Sequence, residues 1–212
     1  MGRINPLFIS RCKMKKFGTA IILSGGKSSR MGFDKQFLKI ENRRLVDSMI
    51  QKLEKEFDEI IIVTNKPQEY LGLGHKITMD ILKEKGPLGG IHAGLCISSS
   101  QYALVMACDM PNVNMDYVKY MKENIAIHGC TTKFGDWIEP FCSFYSKEIT
   151  KDIEEYLQTG KRSINHLLQT LQINYIEEAE ARRFSPKWDM FLNLNTKADL
   201  DNYLDSLEKE FA

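Results

Sequence analysis

No pair of cysteines in this 212-residue chain is spaced as C-x-x-C, and no histidines stand in an H-E-x-x-H arrangement. The five cysteines, at positions 12, 96, 108, 130 and 142, are odd in number and scattered. Neither a disulfide framework nor a zinc site is indicated, and a reducing cytoplasm is the simplest setting. The four histidines, at 75, 92, 128 and 166, are equally dispersed, and no Ser-His-Asp or Cys-His pairing stands out. No apolar run approaches the length of a membrane span. The first sixteen residues are basic but lack the apolar stretch of a secretory signal. There is also no excess of one charge: 29 Lys and Arg oppose 28 Asp and Glu, a net of +1, so no global field favours nucleic acid.

What is present is local. Residues 23–35 read LSGGKSSRMGFDK and directly follow the apolar run Ala20-Ile21-Ile22-Leu23. A strand that opens into a glycine-rich basic loop is a way to wrap a triphosphate. Gly25, Gly26 and Gly32 allow positive φ and bring N–H groups close to a ligand, while Lys27, Arg30 and Lys35 add cations of different reach. Between Lys27 and Arg44 six Lys or Arg face only Asp34 and Glu41. Two familiar loops are excluded by spacing. A Walker A loop needs a glycine where Ile21 stands, inside the strand, and G-x-G-x-x-G fails because Gly25 and Gly26 are adjacent. An ordinary βα turn carrying solvated charges remains the plain alternative.

β-rich runs at 17–23, 59–64, 76–79 and 102–108 alternate with helical patterns at 44–57, 88–100 and 115–127. This alternation predicts an α/β fold: a mostly parallel sheet covered on both faces, with ligands at the carboxyl ends of the strands. After about residue 128 the pattern loosens. Strands are expected at 130–133 and 138–145 around a Gly-Asp-Trp turn, helices at 147–158 and 163–171, and short strands at 173–176 and 190–194. A terminal helix is expected to begin near Thr196. Residues 1–16 read as a disordered extension, or as a short anchor. Residues 17–212 read as one domain, its nucleotide-binding half about 17–128 and its acceptor-binding half about 129–212.

Each polar cluster falls at a predicted strand end. Asp109, in Cys108-Asp109-Met110-Pro111, is placed to hold a hard cation such as Mg²⁺, or merely to cap a turn. Asp80, followed by Gly86-Pro87-Leu88-Gly89-Gly90, can accept hydrogen bonds from a base or ribose; a tight strand-to-helix turn has the same letters. Asn65 is equally a turn former or a ligand reader. The later segments GDWIEP, GKRS and NLNT are as easily structural as functional, although together they can line a pocket for a second, anionic molecule.

The motifs LSGGKSSRMGFDK, ITMD, GPLGGIHAGL and ACDMP, followed by WIEPFCSFYS, GKRSIN and FLNLNTKADL, resemble the molybdenum cofactor guanylyltransferases over most of residues 17–205. The resemblance implies a Rossmann-like three-layer sandwich of the nucleotide-diphosphosugar-transferase kind. It also implies transfer of GMP from GTP to the terminal phosphate of molybdenum-bound molybdopterin, with release of pyrophosphate and dependence on Mg²⁺. By that resemblance Leu23, Ser24 and Gly25 contact the nucleotide through main-chain atoms. Lys35 and Arg30 hold phosphates, Asn65 and Asp80 hold the guanosine, and Asp109 ligates Mg²⁺. Asn193 and Asn195 match the segment that faces the acceptor. Ser24 stands where the family more often has alanine, a harmless change if only its backbone is used. Cytoplasmic location and transient contacts with cofactor-synthesis or recipient molybdoenzymes are also implied, with no nucleic acid or membrane partner. A sister enzyme using CTP or a sugar-phosphate acceptor, a dinucleotide-dependent oxidoreductase and a non-catalytic nucleotide-binding adaptor are the competing readings.

Overall fold

A computed structural model of the chain describes residues 14–25, 39–40 and 43–210. The β-branched runs of the first half form strands β1 (Lys15–Leu23), β4 (Glu59–Val63), β5 (Lys76–Thr78) and β6 (Ser100–Ala107). Between them lie the two-residue strands β2 (Lys39–Ile40) and β3 (Arg43–Arg44), which pair with each other, and helices α1 (Leu45–Leu53) and α2 (Pro87–Ile97). Then come α3 (Met115–Glu123), β7 (Gly129–Phe134), β8 (Trp137–Ser146), α4 (Thr150–Gln158), α5 (Ile164–Leu168), β9 (Ile173–Glu177), α6 (Glu178–Ala181) and α7 (Lys197–Glu210).

The main sheet has seven strands in the order β5-β4-β1-β6-β8-β7-β9. β1 pairs parallel with β4 and β6, β4 with β5, and β7 with β9. Only β8 runs against its neighbours. The sheet is therefore mostly parallel, as the alternation predicts. The carboxyl ends of the other six strands and the beginning of β8 share one edge.

Alternate residues of the central strands feed two cores, because successive side chains in a strand point to opposite faces. Ala20, Ile22, Ile60, Ile62, Leu104 and Met106 pack under α1 and α3, beside Val46, Met49, Leu53, Tyr117 and Met121. Ile21, Ile61, Val63, Ala103 and Val105 pack under α2, α4 and α5. Helices thus cover both faces, giving the expected three layers. Ile21 and Ile61 are fully buried, each contributing about 1.5–3 kcal/mol of transfer free energy. α2 packs tightly on the sheet: a Cβ on Gly94 would lie 2.6 Å from Ile21 Cγ2. Only glycine fits that contact.

Several elements differ from expectation. β1 begins at Lys15, so Lys15 and Lys16 belong to the strand rather than to an extension, with Lys15 bonded to Asp58 at 2.6 Å; residues 1–13 lie outside the described residues. α1 and α3 stop at Leu53 and Glu123, four residues short. The expected strand at 190–194 does not form. Trp188 adopts a left-handed conformation (φ 68°), and Asp189–Phe191 make a single 3₁₀ turn whose Met190 and Phe191 are buried beside Tyr117. The apolar letters there fill a core rather than pair in a sheet.

Candidate active site

The shared sheet edge holds the strand-end residues in a row. At the end of β1 the chain is clamped on both sides: the Ser24 N–H donates to the Val63 carbonyl (2.8 Å), and the Leu23 carbonyl accepts from Cys108 N–H (3.1 Å). The Ser24 side chain is buried and bonded to the Tyr70 hydroxyl (2.5 Å), so it points into the fold and leaves the backbone of residues 23–25 as the ligand-facing part. A Cβ on Gly25 would lie 3.6 Å from Asn65 Nδ2, which places the Asn65 amide directly against the start of the loop. Arg44 is held next door by Asp47 (2.9 and 3.0 Å) and the Glu69 carbonyl (2.8 Å), and lies 5.3 Å from the centre of the Tyr70 ring.

Asp80 follows β5 and faces the first turn of α2. Its two carboxylate oxygens lie 3.6 Å from where Cβ atoms on Gly89 and Gly90 would be. A Cβ on Gly89 would also sit 2.8 Å from the Leu82 carbonyl oxygen, so a side chain there requires backbone movement. Burial pushes the Asp80 carboxyl above the usual carboxylate range. Gly86 (φ 61°) and Pro87 at the first helical position start α2 here. The glycines thus let the first turn of α2 pack directly on the Asp80 carboxylate.

Asp109 emerges from β6 with only 8% of its surface exposed. Its carbonyl accepts from the Leu194 N–H (3.0 Å), which ties residues 193–195 to the end of β6. Asn112, just beyond Pro111, is held by the Asp189 carbonyl (3.2 Å) and the Tyr203 hydroxyl (3.0 Å). Asn193 donates to its own neighbour, the Phe191 carbonyl (3.0 Å). Asn195 sits at the entrance to α7, where Asp199 accepts from the N–H groups of Asn195 (2.9 Å) and Thr196 (2.7 Å), and Thr196 Oγ1 accepts from Asp199 N–H (3.1 Å). This is a reciprocal cap at the predicted helix start.

Residues 20–175 match the MobA-like NTP transferase domain. A probable molybdenum cofactor guanylyltransferase of Peptoclostridium acidaminophilum is 50% identical over 204 residues, covering 92% of each chain. The molybdenum cofactor guanylyltransferase of Syntrophotalea carbinolica is 48% identical over 191 residues, covering 89% of this chain and 91% of that one. The chain belongs to the molybdenum cofactor guanylyltransferase family. A crystal structure of molybdopterin-guanine dinucleotide biosynthesis protein A from Archaeoglobus fulgidus superposes with a TM-score of 0.77 at 23% identity, over 90% of this chain and 99% of that one, and shows the same fold.

In this chain Leu23, Ser24, Gly25, Asn65, Asp80 and Asp109 all gather on one edge, and the Asp109–Leu194 bond brings Asn193 and Asn195 to it. Lys35 and Arg30, with Lys27, Gly26 and Gly32, lie outside the described residues. Asp109 offers carboxylate oxygens, which suit a hard divalent cation. Among the described residues no group of three His, Cys, Asp or Glu forms a cage. A cation here would complete its shell with substrate phosphates and water, as Mg²⁺ commonly does. Burial pushes the Cys130 and Cys142 thiols up to about 12, so neither supplies a thiolate nucleophile.

Glu139 lies in the GDWIEP segment, whose letters fit a structural role as well as a functional one, and the sequence does not single it out. It stands near the start of β8, where burial, and to a lesser extent the charge of nearby Asp109, pushes its carboxyl up to about 7. The signal was Pro140: proline inside an apolar strand pattern marks a bulge or an edge. Here it marks a bulge, because Thr132 pairs with Glu139 but Cys130 with Phe144, leaving Pro140–Ser143 opposite Thr131 alone. Cys142 takes the positive φ of 55° that the bulge requires.

Proposed function

We propose that the chain transfers GMP from GTP to the terminal phosphate of molybdenum-bound molybdopterin, releasing pyrophosphate and forming the guanine dinucleotide. The observation that carries this reading is the convergence of the 23–25 backbone, Asn65, Asp80 and Asp109 on one sheet edge in a chain of this family. The guanine lies over the turn where Gly89 and Gly90 pack on Asp80, Asp80 accepting from its N–H edge and Asn65 reading the nucleoside. The N–H groups after Leu23, with Lys35 and Arg30, hold the triphosphate and stabilise the departing pyrophosphate. Asp109 ligates Mg²⁺. The bound cation supplies charge neutralisation at the α-phosphate and leaving group.

The acceptor is already a phosphate anion, so the chain needs no general base, and its task is to hold two phosphates in line. Asn193 and Asn195, tied to Asp109 through Leu194, orient the acceptor. The nucleotide-binding half is about 17–128 and the acceptor half about 129–212, within one domain. No helix among the described residues is long and apolar enough to cross a membrane. We place the reaction in the cytoplasm, with transient contacts to cofactor-synthesis or recipient molybdoenzymes. The test is pyrophosphate release by purified protein with GTP, Mg²⁺ and molybdopterin, each omitted in turn. Release that requires all three is expected; release without molybdopterin, or none at all, overturns the reading.

A further inference from the structure

The order of strands sets the order of chemistry along the edge. Asp80 follows β5, Asn65 follows β4, Gly25 follows β1 and Asp109 follows β6, while Glu139 opens β8 on the far side of β6. Neighbouring strands lie 4.7–4.9 Å apart, so Asp80 and Glu139 stand about 19 Å from each other with Asp109 between them. Trp137 and Glu139 project from the same face of β8, two residues apart. That face also carries Phe134, which pairs with Trp137, and Thr132, which pairs with Glu139. Trp137 is 59% exposed, although large aromatics are otherwise mostly buried in this fold. Its indole N–H donates to the Glu139 carboxylate, which also accepts from Phe141 N–H (3.3 Å).

The main chain beneath them is rigid. Thr131 Oγ1 (2.6 Å) and Ser143 Oγ (2.9 Å) both donate to the Glu139 carbonyl. Two-residue turn geometry with Gly135 at φ 55° fixes the hairpin tip. On the outer side Phe134 packs on Trp188 (5.3 Å between ring centres), and Arg182 lies 4.9 Å from that ring. The groups acting on the largely buried Glu139 among the described residues are an N–H, an indole and another carboxylate.

We propose that Trp137 and Glu139 recognise the ring of the acceptor: the exposed indole stacks on a planar fused heterocycle, and the Glu139 carboxylate accepts from its guanidine-like N–H edge. This rests on the proposed guanylyl transfer. It assigns one ring system to each end of the edge, guanine at Asp80 and the acceptor heterocycle at β8, with the phosphates over β1 and β6 between them. Stacking supplies area without sequence of donors, and the carboxylate supplies the specificity.

The experiment is steady-state kinetics of the wild type and of Trp137→Ala, Trp137→Phe and Glu139→Gln, varying GTP, molybdopterin and Mg²⁺ separately. Trp137→Ala is expected to raise KM for molybdopterin roughly tenfold or more, the scale of losing one ring stack, while KM for GTP stays constant. Trp137→Phe should recover most of the loss, and Glu139→Gln should raise the molybdopterin KM alone. An unchanged molybdopterin KM in Trp137→Ala overturns the assignment and leaves the guanylyl-transfer reading standing. A rise in the GTP or Mg²⁺ requirement instead places these residues at the nucleotide or the cation and also overturns it. If the wild type transfers nothing to molybdopterin, the transfer reading fails first and the ring assignment falls with it.

Discussion

The Leu194 N–H donates to the Asp109 carbonyl at 3.0 Å, joining the segment before the last helix to the end of the strand that carries the aspartate proposed to hold the cation. Leu194 is fully buried and packs on Leu45 of α1, so the two halves of the site share one anchor. Leu194→Ala should destabilise the fold by about 2–5 kcal/mol, the range for a buried leucine truncated in place. It should also lower kcat, because losing the packing on Leu45 loosens the segment whose main-chain N–H holds Asp109. Urea denaturation and turnover below the new unfolding midpoint measure the two effects; a loss of stability with unchanged kcat would separate the anchor from the chemistry.

Asp109→Ala should abolish transfer while leaving the fold intact. The residue occupies a strand end whose neighbours on the sheet side are already paired through main-chain bonds. Pyrophosphate production across a Mg²⁺ series decides it. Turnover like that of the wild type at saturating Mg²⁺ would refute the metal role.

Lys35→Ala should cost about 2.7–4 kcal/mol in kcat/KM for GTP, the scale of removing one preorganised stabilising donor. An unchanged kcat/KM would remove Lys35 from the phosphate site.

Two glycines of α2, five residues apart, should fail differently. A Cβ at Gly94 meets Ile21 Cγ2 at 2.6 Å in the core, so Gly94→Ala should lower stability by about 1–3 kcal/mol through overpacking. A Cβ at Gly89 meets the Leu82 carbonyl at 2.8 Å beside Asp80, so Gly89→Ala should displace Asp80 at the proposed nucleotide site and raise KM for GTP. Thermal unfolding and GTP titration of both variants distinguish them; the same pattern in both would merge the two roles.

Glu139 predicts a pH signature. Burial first, and then the nearby Asp109, raise its carboxyl from 4.5 to about 7, while Phe141 N–H and the Trp137 indole oppose the shift. The folded state therefore favours the protonated form. Its contribution to stability is complete below pH 4.5 and is lost as pH rises through about 7. Urea midpoints of the wild type should fall relative to Glu139→Gln across that window. Parallel profiles would show that Glu139 titrates as an ordinary carboxylate.

Much of the edge was legible because chain order and strand ends coincide in parallel α/β folds. Asn65, Asp80 and Asp109 each follow an apolar β run, and right-handed crossovers bring such ends together. The second half was less legible for identifiable reasons. Met190 and Phe191 carry the letters of a strand, yet the left-handed turn at Trp188 directs them into the core beside Tyr117. Glu139 belongs to the one reversed strand, whose beginning rather than end reaches the edge, so the strand-end rule misses it. The bulge after Pro140 has no periodic signature. Lys35 and Arg30 remain assigned by family resemblance.

The central claim is guanylyl transfer to a pterin phosphate at this sheet edge. It is tested most directly by incubating the purified protein with Mg²⁺, molybdopterin and an equimolar mixture of GTP and CTP, and weighing the product. The account predicts the guanine dinucleotide with one pyrophosphate released per product. A cytosine dinucleotide, or pyrophosphate with no dinucleotide, would contradict it.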